Sequence, residues 1–291
     1  MRTWPMSYVF PHRHLLDTDP LSRTEIEAIL DLADLYAKQN CSKDKKISKF
    51  YGKTSVNLFF ENSTRTRTSF EIAAKRLGAD VINVPVSQSS TAKGETLLDT
   101  AMTLDAMNVD TLVLRHPEEG APEMLAKHVK AHVINAGDGT HAHPTQALLD
   151  AMTIRRHKGK LDGLTVAICG DLARSRVARS NIHLLKKFGA KIRVTAPDYF
   201  MSDDYQNMDV EISKDLELGI RGADAVIMLR IQHERPGLTF NFASRQKEYI
   251  EAYGLNHEKL KAAKPDVIIL HPGPTNRGIE LTDDLADDAK H

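Results

Sequence analysis

The sequence predicts an α/β protein built from two parallel-sheet domains, with its active site in the cleft between them. Short apolar runs rich in Val, Ile and Leu alternate with helix-like stretches, a pattern typical of strands that helices cover on both faces. This alternation pauses once and restarts near residues 144–160. The chain has 291 residues, of which 41% are hydrophobic, and this is enough for two buried cores. We therefore expect one domain over residues 1–144 and a second over residues 145–291.

The first half is predicted to begin with a helix and to continue with four strands. Ser22 and Glu25 have the spacing of a capping box, and Leu21 can pack on Ile26 as a hydrophobic staple, so a helix is expected to start there. The predicted strands are residues 55–60, 81–84, 111–114 and 132–135. The helices expected between them are residues 69–77, 95–107 and 121–130.

The second half repeats the alternation after a predicted helix at residues 144–157 and a polar stretch at 158–163. Its predicted strands are residues 164–169, 191–195, 225–229 and 266–270. Ligands in such folds lie beyond the carboxyl ends of the strands. The unusual polar residues fall there in both halves: 63–67, 115, 143, 171–176, 230–235 and 271–274.

Composition excludes several classes of function. The 39 basic and 39 acidic residues balance, so the chain as a whole has no attraction to nucleic acid or to an anionic membrane. Two cysteines, Cys41 and Cys169, are too few for a disulfide framework or a zinc site. No apolar run resembles a signal peptide or reaches membrane-spanning length, so we expect a cytoplasmic protein.

The most informative motif is Ser63-Thr64-Arg65-Thr66-Arg67, which follows the first predicted strand and leads into a helix. Hydroxyls, backbone N–H groups and guanidinium groups at a helix start form an anion site, because the helix dipole is positive there. Arginine adds a planar fork that fits two phosphate oxygens. The alternative is a well-capped helix, but a cap needs only one hydroxyl. The motif therefore favours binding of a phosphate-bearing molecule.

Three further residues of the first half and the adjoining helix have candidate roles. Arg115 follows the third strand; alone it would be an exposed strand-end arginine, but it shares a sheet edge with Ser63. His143 precedes Pro144, and a neutral imidazole there can polarise a carbonyl oxygen. Gln146, one turn on, offers a donor and an acceptor to an amide. His141 and His143 could also be a metal pair, but no third ligand lies at suitable spacing, so no metal is expected.

The second half carries two arginine-containing strand ends. Residues 170–176 lack the G-x-G-x-x-G pattern, so a nicotinamide cofactor is disfavoured, and Arg174 and Arg176 suit a carboxylate partner instead. Arg230 and Gln232 repeat this pattern after a later strand; the alternative is a solvated charge run. A polar loop at residues 87–95 could also bring Lys93 over an anion, although ordinary loop residues explain most of it.

Taken together, these motifs resemble the aspartate/ornithine carbamoyltransferase family. They occur in family order over nearly the whole chain: Ser63-Thr64-Arg65-Thr66-Arg67, Lys93-Gly94-Glu95, His143-Pro144-Thr145-Gln146, Gly170-Asp171-Leu172, residues 230–235 and His271-Pro272-Gly273-Pro274. The resemblance implies a carbamoyl-phosphate-binding first domain, an aspartate-binding second domain, and transfer of the carbamoyl group to L-aspartate in pyrimidine synthesis. The ornithine-using relatives carry a cysteine in the His-x-x-Pro motif, whereas Arg230 and Gln232 here suit a dicarboxylate.

The resemblance also implies roles for individual residues. Arg65, Thr66, Arg115 and His143 would be catalytic. The residues that would hold carbamoyl phosphate are Ser63, Thr64, Arg65, Thr66, Arg115, His143, Gln146, Gly273 and Pro274. The residues that would bind aspartate are Lys93, Arg176, Arg230 and Gln232. Ser89 and Lys93 would reach the site of a neighbouring subunit, so a homotrimer is implied.

Neither a cofactor nor a nucleophilic side chain is required by this chemistry, because fixed donors around the carbonyl oxygen and the placing of two reactants side by side lower the barrier. Regulatory or dihydroorotase-type partner chains are left open. Family members usually continue past Ala289-Lys290-His291 into an apolar helix that returns to the first domain, so this helix is expected to be missing. Two alternatives remain: a carbamoyltransferase for another amino acid, and a catalytically silent subunit.

Overall fold

The computed structural model describes residues 9–85, 94–232 and 242–288. The chain divides into two compact units, Met1–Thr145 and Gln146–His291, which we call unit 1 and unit 2. Each unit contains one sheet whose strands all run parallel. The predicted fold class of two parallel-sheet α/β domains is therefore confirmed.

Unit 1 opens with helix α1, Arg23–Asn40, whose start confirms the predicted capping box. The Glu25 backbone N–H donates to Ser22 Oγ at 3.3 Å, and the Ser22 N–H donates to Glu25 Oε2 at 2.6 Å. Leu21 and Ile26 on either side of this cap are buried, as a hydrophobic staple requires. The local sequence is thus sufficient to set where this helix begins.

The sheet of unit 1 has the strand order β2-β1-β3-β4. Its strands are β1 Thr54–Phe59, β2 Asp80–Pro85, β3 Thr111–His116 and β4 His132–Asp138. Its helices are α2 Thr64–Leu77, α3 Leu97–Ala106 and α4 Ala121–Ala126. All four predicted strands are present. Helix α2 begins earlier than predicted, at Thr64, and α4 ends earlier, at Ala126, because Val129 and Ala131 turn into the core ahead of β4.

Helix α5, Pro144–Lys158, follows at the boundary between the units. In unit 2 the strands are β5 Thr165–Cys169, β6 Lys191–Thr195, β7 Glu211–Ser213, β8 Ala225–Met228 and β9 Ile268–Leu270. The helices are α6 Arg176–Lys186, α7 Leu216–Ile220, α8 Gln246–Tyr253, α9 His257–Leu260 and α10 Asp283–Ala286. The strand order is β7-β6-β5-β8-β9. The three-residue edge strand β7 was not predicted.

The core of each unit lies against its sheet. In unit 1 the strand residues Val56, Leu58, Leu112 and Leu114 are fully buried. In unit 2 the buried cluster includes Val226 and Met228 of β8. Burying one such side chain contributes about 1.5–3 kcal/mol, so each core holds its strand ends firmly.

Each sheet has one point where the strand order reverses. In unit 1 the chain moves from β1 to β2 on one side and then to β3 on the other. In unit 2 it moves from β5 to β6 and β7 on one side and then to β8 on the other. Crevices at such switch points are the usual ligand sites of open α/β sheets. Among the described residues, none of the helices is both long enough and apolar enough to cross a membrane.

Candidate active site

The loop after β1 places Ser63 at the N-cap of α2, beside the switch point of unit 1. The Ser63 carbonyl oxygen accepts the Arg67 N–H at 3.1 Å, yet the Ser63 side chain makes no capping hydrogen bond. The first turn of α2 contains no acidic residue that would neutralise the positive end of the dipole. Thr64 and Arg65 are exposed. The helix start therefore keeps the properties of an anion site and does not use its first hydroxyl as a cap.

Arg115 at the end of β3 is brought to this helix start. Its Nη1 lies 3.5 Å from Thr66 Oγ1, and its Nε donates to Glu61 Oε2 at 2.9 Å. The Arg115 side chain is only 15% exposed, so the alternative of a solvated strand-end arginine is wrong. Glu61, which the sequence did not single out, holds the guanidinium group in this position.

The backbone beside Arg115 is irregular. Leu114 of β3 pairs with Asn135 of β4 and His116 pairs with Asp138, so β4 places two residues opposite Arg115. The extra residue makes a bulge, a feature that re-aims side chains near functional sites. Arg115 Nη1 also lies 3.4 Å from the Ala136 carbonyl oxygen. The bulge and the Glu61 ion pair together orient Arg115.

His141 and His143 have different environments. His141 Nδ1 lies 2.9 Å from Asp138 Oδ2, and this hydrogen bond raises the pKa of His141 to about 9. Asp138 is buried and also accepts from the Gly120 N–H, the Asn135 side chain and the Ala142 N–H. His141 therefore serves the structure as a cation. Among the described residues no group of three His, Cys, Asp or Glu side chains could hold a metal ion.

His143 itself is buried, directly before the start of α5. Its Nδ1 lies 3.5 Å from the Thr145 hydroxyl oxygen. Gln146 follows on the first turn of α5, where its Nε2 donates to Asp150 Oδ1 at 2.9 Å. We call Ser63–Thr66, Arg115 and His143 the first half-site.

In unit 2 the loops after β5 and β8 are joined by a buried carboxylate. Arg174 pairs with Asp171 through two contacts, Nε to Oδ1 at 3.2 Å and Nη2 to Oδ2 at 2.5 Å. The Gln232 N–H donates to Asp171 Oδ2 at 3.1 Å, and Gln232 Nε2 donates to the Arg174 carbonyl oxygen at 3.1 Å. The carboxylate beside Arg174 in the structure is therefore Asp171 of the same loop. Arg176 is the buried first residue of α6.

Gly170 is required by the close approach of these two loops. Its φ of +119° lies in a region that side chains rarely adopt. A Cβ atom at this position would lie 2.7 Å from the Leu229 carbonyl oxygen. A glycine here therefore lets β5 and β8 converge at their carboxyl ends.

A second buried carboxylate, Glu280, joins the β8 loop to the loop after β9. Its Oε1 accepts the Ile231 N–H at 2.8 Å and Asn276 Nδ2 at 2.6 Å, and its Oε2 accepts the Asn276 N–H at 2.8 Å. Burial raises the pKa of the Glu280 carboxyl, while these hydrogen bonds oppose the rise. The loop held in this way contains Gly273 and Pro274, whose peptide bond is cis.

We call residues 171–176, 230–232, Gly273 and Pro274 the second half-site. Not every predicted residue can be placed, because Ser89, Lys93 and residues 233–235 lie outside the described residues. Sequence reasoning missed Glu61, Asp138, Asp150 and Glu280. Each is an acidic residue whose partners lie on other segments or one turn away, and no local motif marks it.

Comparison with known proteins agrees with this architecture. Residues 13–156 match the aspartate/ornithine carbamoyltransferase carbamoyl-P binding domain. Residues 162–291 match the Asp/Orn binding domain of the same family. The chain therefore belongs to the aspartate/ornithine carbamoyltransferase family.

Individual relatives are more specific. The aspartate carbamoyltransferase catalytic subunit of Rhodospirillum centenum is 57% identical over 279 residues, covering 96% of this chain and 87% of the relative. That of a Bradyrhizobium species is 54% identical over 291 residues, covering 100% of this chain and 91% of the relative. Aspartate transcarbamoylase from Trypanosoma cruzi, crystallised with carbamoyl phosphate and aspartate, superposes with a TM-score of 0.85 at 33% identity, covering 95% of this chain and 89% of that one.

Proposed function

We propose that this protein transfers the carbamoyl group of carbamoyl phosphate to the amine of L-aspartate, giving N-carbamoyl-L-aspartate and phosphate. The observation that carries the proposal is the guanidinium group of Arg115 beside Thr66 at the N-terminus of α2. A donor cluster of this kind at a switch point suits a phosphate with an adjoining carbonyl group. Relatives named aspartate carbamoyltransferase catalytic subunit support the choice of reaction. By that naming, the reaction belongs to pyrimidine synthesis.

In this proposal the first half-site binds carbamoyl phosphate. Ser63, Thr64 and Arg65 hold the phosphate, with the N–H groups of the first turn of α2 and the helix dipole adding to their attraction. Thr66, Arg115 and His143 donate to the carbamoyl oxygen. Gln146 and the backbone of Gly273 and Pro274 contact the carbamoyl nitrogen.

The second half-site binds L-aspartate. Its two carboxylates are contacted by Arg176, Arg230 and Gln232. Guanidinium groups form bidentate pairs with carboxylates, as they do with phosphate. Asp171 and Glu280 support this role by holding the loop after β8, on which Ile231 and Gln232 lie. That both half-sites act on one pair of substrates is part of the proposal.

The chemistry follows from these contacts. The amine attacks the carbonyl carbon, the C–N bond forms, and the carbonyl oxygen takes up negative charge. Thr66, Arg115 and His143 stabilise this oxyanion, and preorganised donors of this kind are worth about 10²–10³ each in turnover. The tetrahedral intermediate then expels phosphate by breaking the C–O bond. We propose that the departing phosphate accepts the proton of the amine.

Phosphate release from carbamoyl phosphate by the purified chain, with L-aspartate or L-ornithine as acceptor, tests the reaction. Release that depends on aspartate is the expected result. Release with ornithine alone would keep the family and overturn the assignment of Arg230 and Gln232. Without release for either acceptor, in folded protein, the chain would be a silent subunit.

We further propose a homotrimer in which Ser89 and Lys93 complete the active site of a neighbouring subunit. The resemblance to the family is its support. Mixing two inactive variants, Lys93→Ala and His143→Ala, should restore activity, because some sites then receive intact groups from both subunits. Mixed trimers prepared with two affinity tags would show the assembly directly. If such trimers form without activity, the sharing of sites is wrong.

A further inference from the structure

We propose that Asp150 is a positioning residue that fixes the side-chain amide of Gln146, so that the amide oxygen faces the amino group of carbamoyl phosphate. This inference rests on the proposed function and deepens it. It assigns to a buried carboxylate the choice between carbamoyl phosphate and acyl phosphates without an amino group.

The geometry is a chain of three side chains on two helices. Gln146 and Asp150 lie one turn apart on α5, and Gln146 Nε2 donates to Asp150 Oδ1 at 2.9 Å. Asn181 on α6 donates from Nδ2 to Asp150 Oδ2 at 2.8 Å. Asn181 Nδ2 also donates to the Val177 carbonyl oxygen at 3.1 Å. Asp150 is 4% exposed and Asn181 is 0% exposed, so this carboxylate has little access to water.

The protonation state of Asp150 determines which end of the Gln146 side-chain amide faces it. Burial raises the pKa of Asp150 to about 6, and the hydrogen bonds from Asn181 and Gln146 oppose a larger rise. At pH 8 the group is therefore an ionised carboxylate, which can only accept hydrogen bonds. A glutamine beside it must present its NH₂ group. Gln146 is half-buried, and the opposite end of its amide, Oε1, is the end left for a ligand.

The amino group of carbamoyl phosphate needs an acceptor. Its nitrogen lone pair is delocalised into the carbonyl group, so the nitrogen does not accept hydrogen bonds. Its two N–H groups donate, and each needs an acceptor. An amide oxygen matches it, whereas an amide NH₂ group would oppose donor with donor. Sites that hydrogen-bond an N–H group reject analogues that lack it, because their own polar atoms are then left unpaired. Acetyl phosphate is such an analogue, with a methyl group in place of the amino group.

The test is the isosteric variant Asp150→Asn, assayed at pH 8 with L-aspartate and either carbamoyl or acetyl phosphate. The substituted amide has one acceptor oxygen where the carboxylate had two, and it faces two donors. Asn181 is also held by Val177, so Gln146 is the side chain expected to turn. We expect kcat/KM for carbamoyl phosphate to fall roughly 10- to 100-fold. The value for acetyl phosphate should change less than about threefold, because a methyl group forms no hydrogen bond with either end of the amide.

Asn181→Ala is the matched control. It removes the other hydrogen bond to the same carboxylate but leaves Gln146 facing an acceptor. Thermal stability should fall while the preference for carbamoyl over acetyl phosphate stays at the wild-type value. If Asp150→Asn lowered kcat/KM for carbamoyl phosphate and for acetyl phosphate by the same factor, Asp150 would have only a structural role and the proposal would be overturned.

Gln146→Met removes both ends of the amide at similar volume. It should lose the preference for carbamoyl over acetyl phosphate, and this result does not depend on whether Asp150→Asn folds. Where Asp150→Asn does fold, adding it to Gln146→Met should change the preference no further. A full preference in Gln146→Met, or a further change in the double variant, would overturn the proposal. The proposed function fails separately, if wild-type protein transfers no carbamoyl group to aspartate.

Discussion

The first and second half-sites occupy the same topological position in their sheets but are held together differently. The helix start of the first relies on groups at the surface: Thr64 and Arg65 are exposed, and Ser63 makes no side-chain cap. The second relies on two carboxylates with 0% exposure, Asp171 and Glu280, which accept backbone N–H groups from its loops. A helix N-terminus is already an ordered donor array, whereas three separate loops need buried partners to keep their relative positions.

This difference separates function from stability in one half-site and couples them in the other. Replacing an exposed group of the first half-site removes a ligand contact and leaves the core intact. Replacing a buried carboxylate of the second leaves backbone donors unpaired, which costs stability as well.

The largest effect is expected for Arg65→Ala. Turnover should fall about 10²–10³-fold, because one charged donor for the phosphate is lost. The thermal midpoint should stay close to wild type, since the Arg65 side chain is exposed. Lys75→Ala, on the same helix near its other end, is the control and should retain full turnover. Near-normal turnover in Arg65→Ala would remove Arg65 from the half-site.

Glu280→Gln should affect stability and aspartate use together. A glutamine keeps one acceptor but turns an NH₂ group toward either the Asn276 N–H or the Ile231 N–H. We expect a loss of about 1–3 kcal/mol in the free energy of unfolding, measured in urea, and a raised KM for aspartate.

The exposed Glu258, which pairs with Lys261 at the surface, offers a control for this change. Glu258→Gln should leave both unfolding and aspartate use as in the wild type. If Glu280→Gln behaved like it, the second half-site would not depend on its buried carboxylate.

The smallest effect concerns pH. The pKa of His141 is raised from 6.5 to about 9 by Asp138, so its stabilising charge is fully present below pH 6.5 and is lost as pH rises through 9. Since the His141 side chain is 37% exposed, the contribution should be no more than about 1 kcal/mol.

Urea unfolding at pH 6 and pH 10 measures this loss, and His141→Gln should reduce the difference. Glutamine still donates to Asp138 but does not titrate. An unchanged difference between the two pH values would show that the Asp138 ion pair does not support unit 1.

Much of the fold was predictable because its signals are local. The capping box at Ser22 and the apolar run of β6, predicted at residues 191–195 and observed as Lys191–Thr195, depend on neighbours in sequence. Strand β7 escaped prediction because it has three residues with one apolar side chain, Ile212, and exists through its pairing with β6. Helix α4 was predicted too long because the buried Val129 packs in the core beyond the end of the helix, and only the folded chain shows this.

The candidate site divides in the same way. The motif at Ser63 could be found because its hydroxyls and arginines are consecutive. The role of Arg174 could not be found from the sequence. Asp171 and a ligand carboxylate are both possible partners for it, and only the folded loop shows that Asp171 is the one it pairs with. Domain boundaries, Lys93 and Ser89 stay predictions.

By itself, the sequence determined the two runs of parallel strands, the helix start at Ser22 and the anion motif at Ser63–Arg67, because each depends on residues that are adjacent or one turn apart. Only the tertiary structure decided which polar groups support which loops. A bulge in the sheet orients Arg115 toward Thr66. Glu280 accepts the N–H of Ile231, and Asp150 on α5 accepts from Asn181 on α6. Such contacts join residues far apart in sequence, and their energies appear only once burial has removed the competing water.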